Sequence, residues 1–286
     1  MRADPVDAGR SPLGAGRSPL GAPRSDSYEE LDGDPGCGLL LLVDHASNYI
    51  PPEFGELGLP TAELRRHIAY DIGVAPLARE LKERLGAPAI LTAFSRLLID
   101  PNRGEDDPTL IMRLSDGAVV PGNRAVDATE RERRLDRFYR PYHAAIERRV
   151  AAMLRSGLPP ALLSIHSYTP DWKGTRRPWH AGILWDRDPR FAHLLLARLQ
   201  AEHGLRIGDN EPYLGSLKND TMYRHGTGRG LAHGLLEVRN DLIETPAGVQ
   251  EWADRLEPIL REAMADPVLH RVRHFGSESD EEAMRR

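Results

Sequence analysis

The sequence has 286 residues, 40% hydrophobic and 28% charged, which is enough apolar material for one large α/β domain or two small ones. Its 38 Lys and Arg against 43 Asp and Glu give a net charge of −5, which argues against nucleic acid as a main partner. The single cysteine, Cys37, excludes an intrachain disulfide and a cysteine-based zinc cluster. With 11 histidines, a metal site built from imidazole, carboxylate and water remains open.

The sequence shows no sign of a membrane or export segment. No apolar run approaches the roughly 20 residues that span a bilayer. The N-terminal residues MRADPVDAGR have no apolar signal-peptide core. We therefore expect a soluble, cytoplasmic protein with no membrane partner.

Both ends of the chain are predicted to lie outside the fold. The heptapeptide GRSPLGA occurs at 9–15 and again at 16–22, and the residues up to 36 remain rich in Gly, Pro, Ser and charge. Such a composition offers little to bury. We predict a disordered leader over 1–36, a single α/β domain over 37–270 and a flexible acidic tail over 271–286.

Between these ends, short apolar runs alternate with segments of helical periodicity. The runs predict strands at 37–44, 89–93, 96–99, 161–166, 181–186 and 233–239. The periodic segments predict helices at 61–85, 129–155, 189–203 and 247–265. This alternation predicts an α/β fold with a twisted, mainly parallel or mixed sheet and helices on both faces.

Polar side chains gather where the predicted strands end. The carboxyl ends of strands in such sheets meet at one edge, so these side chains are expected to lie close together. A catalytic zinc site typically combines imidazoles, carboxylates and guanidinium groups. The residues concerned are Asp44, His45, Arg96, Asp100, Asn102, Arg103, His166, Glu237 and Arg239.

Each candidate also has an ordinary structural explanation. A single histidine after a strand often serves only as a hydrogen-bonding residue. Glu237 lies in an apolar run and could be the partner of Arg239. Arg103 could close the turn formed by the sequence DPNR. The sequence alone leaves these alternatives open.

The ordered motifs HAS..IPP, YDIG, SRLLIDPNR, PYH, IHSY, NEPY and LLEVRNDL resemble the N-formylglutamate amidohydrolase family, from about residue 43 to 242. The resemblance extends more remotely to the zinc carboxypeptidase and aspartoacylase group, and it implies a phosphorylase/hydrolase-like fold with one Zn²⁺ as cofactor. In that group a histidine after the first strand and a later strand-ending histidine bind zinc, an Asn-Arg pair binds the substrate carboxylate and a glutamate activates water. The corresponding residues are His45, His166, Asn102, Arg103 and Glu237.

The third metal ligand differs from the carboxypeptidase pattern. Where that pattern reads His-x-x-Glu, this chain has Asn48, an amide and therefore a poor zinc ligand. The family pattern implies Asp71, in YDIG, as the replacement, although a helix-capping role explains this residue equally well. Asp44 and Glu53 remain further alternatives. Asp44 is less attractive because neighbouring strand residues point to opposite faces.

Other residues have weaker claims. Arg96 could polarise the scissile carbonyl or pair with Asp100, and Arg96 or Arg239 could stabilise an oxyanion. Tyr213, in NEPY, could line the pocket. The basic loop at 170–178 could form a lid over an anionic substrate or simply be solvated.

The resemblance implies a metal-dependent hydrolase that cleaves the amide bond of a small acidic N-acyl amino acid. The implied reaction converts N-formyl-L-glutamate to formate and glutamate. One alternative is a hydrolase of another amide or a short peptide. Another is a non-catalytic small-molecule binding protein on the same fold, which the missing carboxylate at Asn48 motivates.

Overall fold

The structure is a computed structural model that describes residues 25–284. At its centre lies a seven-stranded sheet. The chain contributes β1 (Tyr28–Leu31), β2 (Leu39–Val43), β3 (Ala89–Thr92), β4 (Leu114–Ser115), β5 (Ala118–Val119), β6 (Ala161–Tyr168), β7 (Asp171–Trp172), β8 (Thr175–Arg176), β9 (Ala181–Leu184), β10 (Ile207–Asp209) and β11 (His233–Arg239). The sheet has the order β1-β3-β2-β6-β11-β9-β10, while β4-β5 and β7-β8 are separate hairpins. Four neighbouring pairs are parallel, whereas β1-β3 and β9-β11 are antiparallel. The predicted mixed, mainly parallel sheet is confirmed.

Helices cover both faces of this sheet. They are α1 (Val74–Leu85), α2 (Ala128–Arg134), α3 (Arg140–Arg155), α4 (Pro189–Gln200), α5 (Thr221–His225), α6 (Pro246–Ala265) and α7 (Glu278–Met284). A π-helical turn, Leu135–Tyr139, joins α2 to α3. Side chains of α1, α4 and α6 share one apolar core with the sheet, and α3 shares a second core on the opposite face. Within the described part of the chain, no helix is long and apolar enough to cross a membrane.

Strand β2 shows why the sheet lies between two layers. Its five residues are all buried. Leu39, Leu41 and Val43 join the core under α1 and α6, whereas Leu40 and Leu42 join the core under α3. A strand that alternates between two apolar layers has no polar face, which explains the uninterrupted leucine run.

Two predicted elements differ from the observed ones. The predicted helix at 61–85 begins only at Val74, because Gly73 at its N-terminus has a left-handed φ of 84°. The predicted strand at 96–99 consists of turns, and Leu97, Leu98 and Ile99 are buried in a third apolar cluster with Phe94. The apolar run therefore correctly predicted that these side chains are buried, but it did not predict that the backbone forms turns.

The ends of the described chain are more ordered than the predicted leader and tail. Strand β1 lies within the 1–36 segment and pairs with β3 at the edge of the sheet. Its charged residues are held by ion pairs, from Arg79 to Glu29 and from Arg149 to Glu30. Helix α7 lies within the predicted tail, after the buried Ser277. Residues 1–24, which include both GRSPLGA copies, lie outside the described residues.

Candidate metal and substrate site

Three buried side chains meet at the carboxyl edge of the sheet. His45 follows β2, His166 lies in β6 and Asp71 precedes α1. The Oδ2 atom of Asp71 lies 3.3 Å from His45 Nδ1 and 2.9 Å from His166 Nδ1. One donor atom from each residue can be chosen so that all three lie within 4.8 Å of one another. Two imidazole nitrogens and one carboxylate oxygen form a donor set that suits a divalent metal such as zinc.

The outer nitrogen of each imidazole faces a second carboxylate. His45 Nε2 lies 2.7 Å from Asp100 Oδ1, and His166 Nε2 lies 3.0 Å from Asp44 Oδ2. A histidine that donates its outer N–H to a carboxylate keeps the lone pair of its inner nitrogen for a metal. Both rings therefore present Nδ1 to the space beside Asp71.

Asp44 is held by four hydrogen-bonding side chains. Its Oδ1 accepts from Tyr142 Oη at 2.9 Å and from Thr221 Oγ1 at 2.6 Å. Its Oδ2 accepts from Ser164 Oγ at 2.7 Å as well as facing His166. Burial acts to raise the pKa of Asp44, but the hydrogen bond and charge of His166 outweigh it and hold the pKa well below its usual range. Asp44 is consequently an anion that orients His166.

Arg96 contacts the carboxylates of both Asp100 and Asp71. Its Nη2 donates to Asp100 Oδ2 at 2.7 Å, and its Nη1 lies 3.4 Å from Asp71 Oδ1. Burial acts to raise the pKa of Asp71, but the neighbouring histidines outweigh it and lower that pKa. The pairing of Arg96 with Asp100, one of the two predicted possibilities, is therefore present in the structure.

Glu237 lies beside the cluster without a partner for one oxygen. In the parallel pairing of β6 and β11 it stands opposite His166, so both side chains are on the same face. Its Oε2 is buried and finds no hydrogen-bond partner within residues 25–284. Burial raises the pKa of Glu237 to about 7. Arg239, the alternative partner, instead donates to Asp241 at 2.7 Å.

These groups line a cavity of about 450 Å³. Of the predicted substrate-binding residues, Asn102, Arg103 and Tyr213 line it, whereas Arg239 does not. Asn102 Oδ1 accepts a hydrogen bond from the backbone N–H of Thr221 at 3.1 Å. Arg103 Nε is 3.9 Å from Asp100 Oδ2 and makes no hydrogen bond with the described residues. This N–H group is therefore available to a ligand.

The other candidates for the third metal ligand are engaged elsewhere. Asn48 Nδ2 donates to the backbone oxygen of Leu64 at 2.8 Å. Glu53 is exposed and forms an ion pair with Arg137. Asp44 lies behind His166, on the outer nitrogen of the ring. Only Asp71, of the four residues considered, lies with both histidines in the same cluster.

Two further residues of the site were not singled out from the sequence, and Asp100, which was expected among the strand-end residues, has a role that the sequence did not show. Besides pairing with Arg96, Asp100 orients His45. Thr221 reaches Asp44 across 177 residues of chain, which no local pattern reveals. Asp220, at the N-terminus of α5, lines the cavity and is buried. The Asp-Thr pair of a helix cap was a visible signal for α5, but its position in the cavity depends on the fold.

The basic loop beside the cavity forms the β7-β8 hairpin. Arg176, on this hairpin, is exposed to solvent. Arg177 is buried, and its guanidinium lies over the rings of Tyr168, Trp172 and Tyr213 at 5.1 to 5.3 Å. Its Nη2 also donates to Tyr213 Oη at 3.0 Å. Arg177 therefore links the β7-β8 hairpin to the segment that carries Tyr213, and its guanidinium is already in contact with aromatic rings.

The mixed α/β sheet with a buried His/Asp/His cluster at its carboxyl edge defines an α/β protein with a candidate metal centre. The sequence model of the N-formylglutamate amidohydrolase family matches residues 37–244, and the chain belongs to this family. The resemblance of its motifs to that family is thus confirmed.

Two solved structures are similar to the chain. The gene product Atu2144 from Agrobacterium tumefaciens is 31% identical, with a TM-score of 0.78 over 84% of this chain and 95% of that one. N-formylglutamate amidohydrolase from Ralstonia eutropha JMP134 is 23% identical, with a TM-score of 0.66 over 84% and 97% of the two chains, and supports the fold. No curated protein sequence matches the chain.

Proposed function

We propose that the protein is a metal-dependent amidohydrolase that cleaves the amide bond of a small N-acyl amino acid. The observation that carries this proposal is the position of Glu237, a buried carboxylate with an unpaired oxygen, opposite a histidine of the candidate metal cluster. The family name points to N-formyl-L-glutamate as the reference substrate. Its products would be formate and glutamate.

His45, Asp71 and His166 would hold the metal. They fit a zinc ion because two imidazole nitrogens and one carboxylate oxygen lie within 4.8 Å of one another, and because a second carboxylate faces the outer nitrogen of each ring. When bound there, zinc supplies Lewis-acid activation of water and of the scissile carbonyl.

Glu237 is the proposed general base. It takes a proton from the attacking water and then delivers it to the leaving amine. Burial raises its pKa to about 7, which suits a group that must both accept and donate a proton near neutral pH. Its unpaired Oε2 leaves an oxygen free for this exchange.

The remaining cavity residues bind and orient the substrate. Arg103 binds the substrate carboxylate through the paired N–H groups of its guanidinium, and Asn102 supports this clamp. Arg96 lines the cavity next to Asp71, so its charge also stabilises the oxyanion that forms on the carbonyl. Tyr213 bounds the substrate from the opposite loop. Arg239 lies outside the cavity lining and has no role in this scheme.

Replacing Glu237 by Gln tests the proposal. The amide cannot accept the proton, so we expect turnover of N-formyl amino acids to fall by about 10²–10⁴-fold while one zinc per chain stays bound. Asp241→Asn is the control, because Asp241 pairs with Arg239 outside the cavity lining and its loss should leave turnover unchanged. Near-normal turnover by Glu237→Gln would contradict the proposal.

The structure removes the reason for considering a binding protein without catalysis. That alternative rested on the missing carboxylate at Asn48. Asp71 offers a carboxylate to both histidines instead, and Glu237 remains available as a base. These groups support a hydrolytic site over a purely binding one.

A further inference from the structure

Helix α3 carries a buried histidine that the proposed mechanism does not use. His143 belongs to the PYH motif and is 2% exposed. Its Nε2 lies 3.1 Å from the backbone oxygen of Pro101, and its Nδ1 lies 2.9 Å from Nε2 of His225. The side chain therefore joins three segments of the chain, which are α3, the turn at Pro101 and α5.

The hydrogen bonds of this histidine pair have one direction. A carbonyl oxygen only accepts, so Nε2 of His143 carries the hydrogen and donates it to Pro101. In a neutral ring the other nitrogen is then an acceptor, so His225 donates to Nδ1 of His143. Burial lowers the pKa of His143 to about 3 and also lowers the pKa of His225, which keeps both rings neutral. Nδ1 of His225 is left without a hydrogen and has no partner within residues 25–284.

The turn that His143 holds carries the proposed carboxylate clamp. Pro101 is the residue between Asp100 and Asn102. The backbone N–H of Asn102 donates to Asp100 Oδ1 at 3.0 Å, and that of Arg103 donates to the backbone oxygen of Asp100 at 3.2 Å. Because these bonds make one compact turn, a hydrogen bond to the Pro101 oxygen fixes it as a unit.

Tyr139 holds the same turn, residues 100–103, which we call the clamp turn. It lies four residues before His143, at the end of the π-helical turn that leads into α3. Its Oη donates to the backbone oxygen of Arg103 at 2.7 Å. The two rings lie against each other, with 4.4 Å between their centroids. Two neighbouring side chains thus hold two carbonyl oxygens of the clamp turn.

The other contact of His143 leads to the metal side of the cavity. Helix α5 begins at Thr221, whose Oγ1 donates to Asp44 at 2.6 Å and so supports the carboxylate that faces His166. His225 ends the same helix, one turn later. Consequently His143 holds the clamp turn with one nitrogen and, with the other, the helix that supports the metal cluster.

We propose that His143, together with Tyr139, positions the substrate carboxylate, because the pair fixes the clamp turn relative to the His/Asp/His cluster. Neither residue lines the cavity, so both act through Asn102 and Arg103. A substrate that is held at its carboxylate and cleaved at its amide needs these two points at a set distance, and small displacements are costly. The proposal rests on the proposed amidohydrolase function and adds positioning residues to the same site.

Replacing His143 by Leu removes both of its hydrogen bonds. We expect KM for N-formyl-L-glutamate to rise about 10–100-fold, with kcat reduced less than about threefold and one zinc per chain retained, because the clamp moves while the reacting groups stay in place. His143→Gln, whose amide can donate to the Pro101 oxygen, should restore most of the KM. An unchanged KM in His143→Leu, or a loss confined to kcat, would overturn the assignment.

His270→Leu is the matched control. His270 also lies between two backbone oxygens, those of Pro159 and Met264, at 2.9 Å each, and is outside the cavity lining. A general loss of stability would affect both variants, whereas the rise in KM should occur only in His143→Leu. An equal rise in both would contradict the positioning role.

Tyr139→Phe decides the case in which His143→Leu does not fold. It keeps the ring and removes the hydrogen bond to Arg103, so KM should rise about 3–10-fold. Tyr28→Phe, which loses a hydrogen bond from Arg148 outside the cavity lining, should keep the KM of the unmodified protein. An unchanged KM in Tyr139→Phe would contradict the proposal.

Calorimetric binding of N-formyl-L-glutamate separates this proposal from the hydrolase function. In the Glu237→Gln background, where turnover is removed, His143→Leu should raise the dissociation constant by the same factor of about 10–100. Equal dissociation constants with and without the His143 substitution would overturn the positioning role. Binding without hydrolysis by the unmodified, zinc-loaded protein would contradict the hydrolase function alone, and no binding at all would contradict both.

Discussion

At the scale of single residues, the site contains two carboxylates that do not line the cavity. Asp44 and Asp100 are completely buried, and each holds the outer nitrogen of one histidine. The hydrogen bonds from Tyr142 and Thr221 fix Asp44 in turn. This arrangement determines which nitrogen of His166 faces the cluster and thereby prepares it for a metal.

Replacing Asp44 by Asn should weaken metal binding. The amide removes the negative charge behind His166 and turns its NH₂ group toward hydrogen-bond donors. We expect the affinity for zinc to fall about 10–100-fold, measured by competition with a chelator. Asp136→Asn, at an exposed ion pair with Arg140, is the control and should keep the affinity. Unchanged affinity in Asp44→Asn would exclude its orienting role.

A second single-residue prediction concerns Asp220 and the pH dependence of stability. Burial raises the pKa of Asp220 from 3.8 to about 7. Between these two values the unfolded chain ionises while the folded protein keeps the proton, so this group lowers the free energy of unfolding as pH rises. Below about pH 4 and above about pH 7 both states have the same charge, and its contribution no longer changes.

Asp220→Asn removes this titration and keeps an acceptor for the backbone N–H of Tyr223. We expect the variant to gain stability relative to the unmodified protein as pH rises from 4 to 7, by at most about 4 kcal/mol, with no further gain above pH 7. Urea unfolding at a series of pH values measures the difference. A difference that does not vary with pH would contradict the raised pKa.

The site residues that the sequence predicted best are those on strands. His45, His166 and Glu237 come together because each follows a strand of one sheet or lies near the carboxyl end of one, and the strand pattern was visible as apolar runs. Asp71 was identified through the family pattern, since it lies in an irregular segment. Its place is set by a backbone hydrogen bond from Asp71 to the oxygen of His45, a contact that no local periodicity encodes.

At the scale of elements, the start of α1 positions Asp71. The helix begins at Val74, after Gly73 in a left-handed conformation. A Cβ at residue 73 would come within 2.2 Å of the backbone oxygen of Ile243. This close approach ties the turn that follows β11 to the segment that carries Asp71 of the candidate metal cluster.

Gly73→Ala should therefore affect both stability and the site. The new Cβ meets backbone and the residue has a positive φ, so we expect a loss of several kcal/mol in the free energy of unfolding together with weaker zinc binding. Gly86→Ala is the matched control at the other end of α1: its φ is also positive, but nothing lies within 4 Å of the added atom. It should cost about 1–2 kcal/mol and leave zinc affinity unchanged. Equal effects of the two variants would contradict this account.

The two elements that sequence periodicity described incorrectly have a common cause. Residues 61–85 carry apolar residues at helical spacing, yet Gly73 divides the segment. Residues 96–99 are apolar enough for a strand, yet they fold as turns in a separate cluster. In both cases the periodicity reports which side chains are buried, while backbone conformation is decided by contacts distant in sequence.

At the scale of the whole molecule, the sheet assembles the site from distant segments of the chain. Residues 45, 71, 166 and 237 become neighbours only when β2, β6 and β11 lie side by side. The mixed α/β architecture could be predicted because the alternation of apolar strands and helices is visible in short stretches of sequence. The edge strand β1 could not, because its charged residues are stabilised by partners elsewhere in the fold.

A metal titration of hydrolysis tests the central claim most directly. Protein freed of metal with a chelator is incubated with increasing zinc, and formate release from N-formyl amino acids is measured at each step. We predict no turnover without metal, and a linear rise that ends at one ion per chain, because His45, Asp71 and His166 form one site. Full turnover by the metal-free protein, or by zinc-treated His166→Ala that retains no ion, would contradict the account.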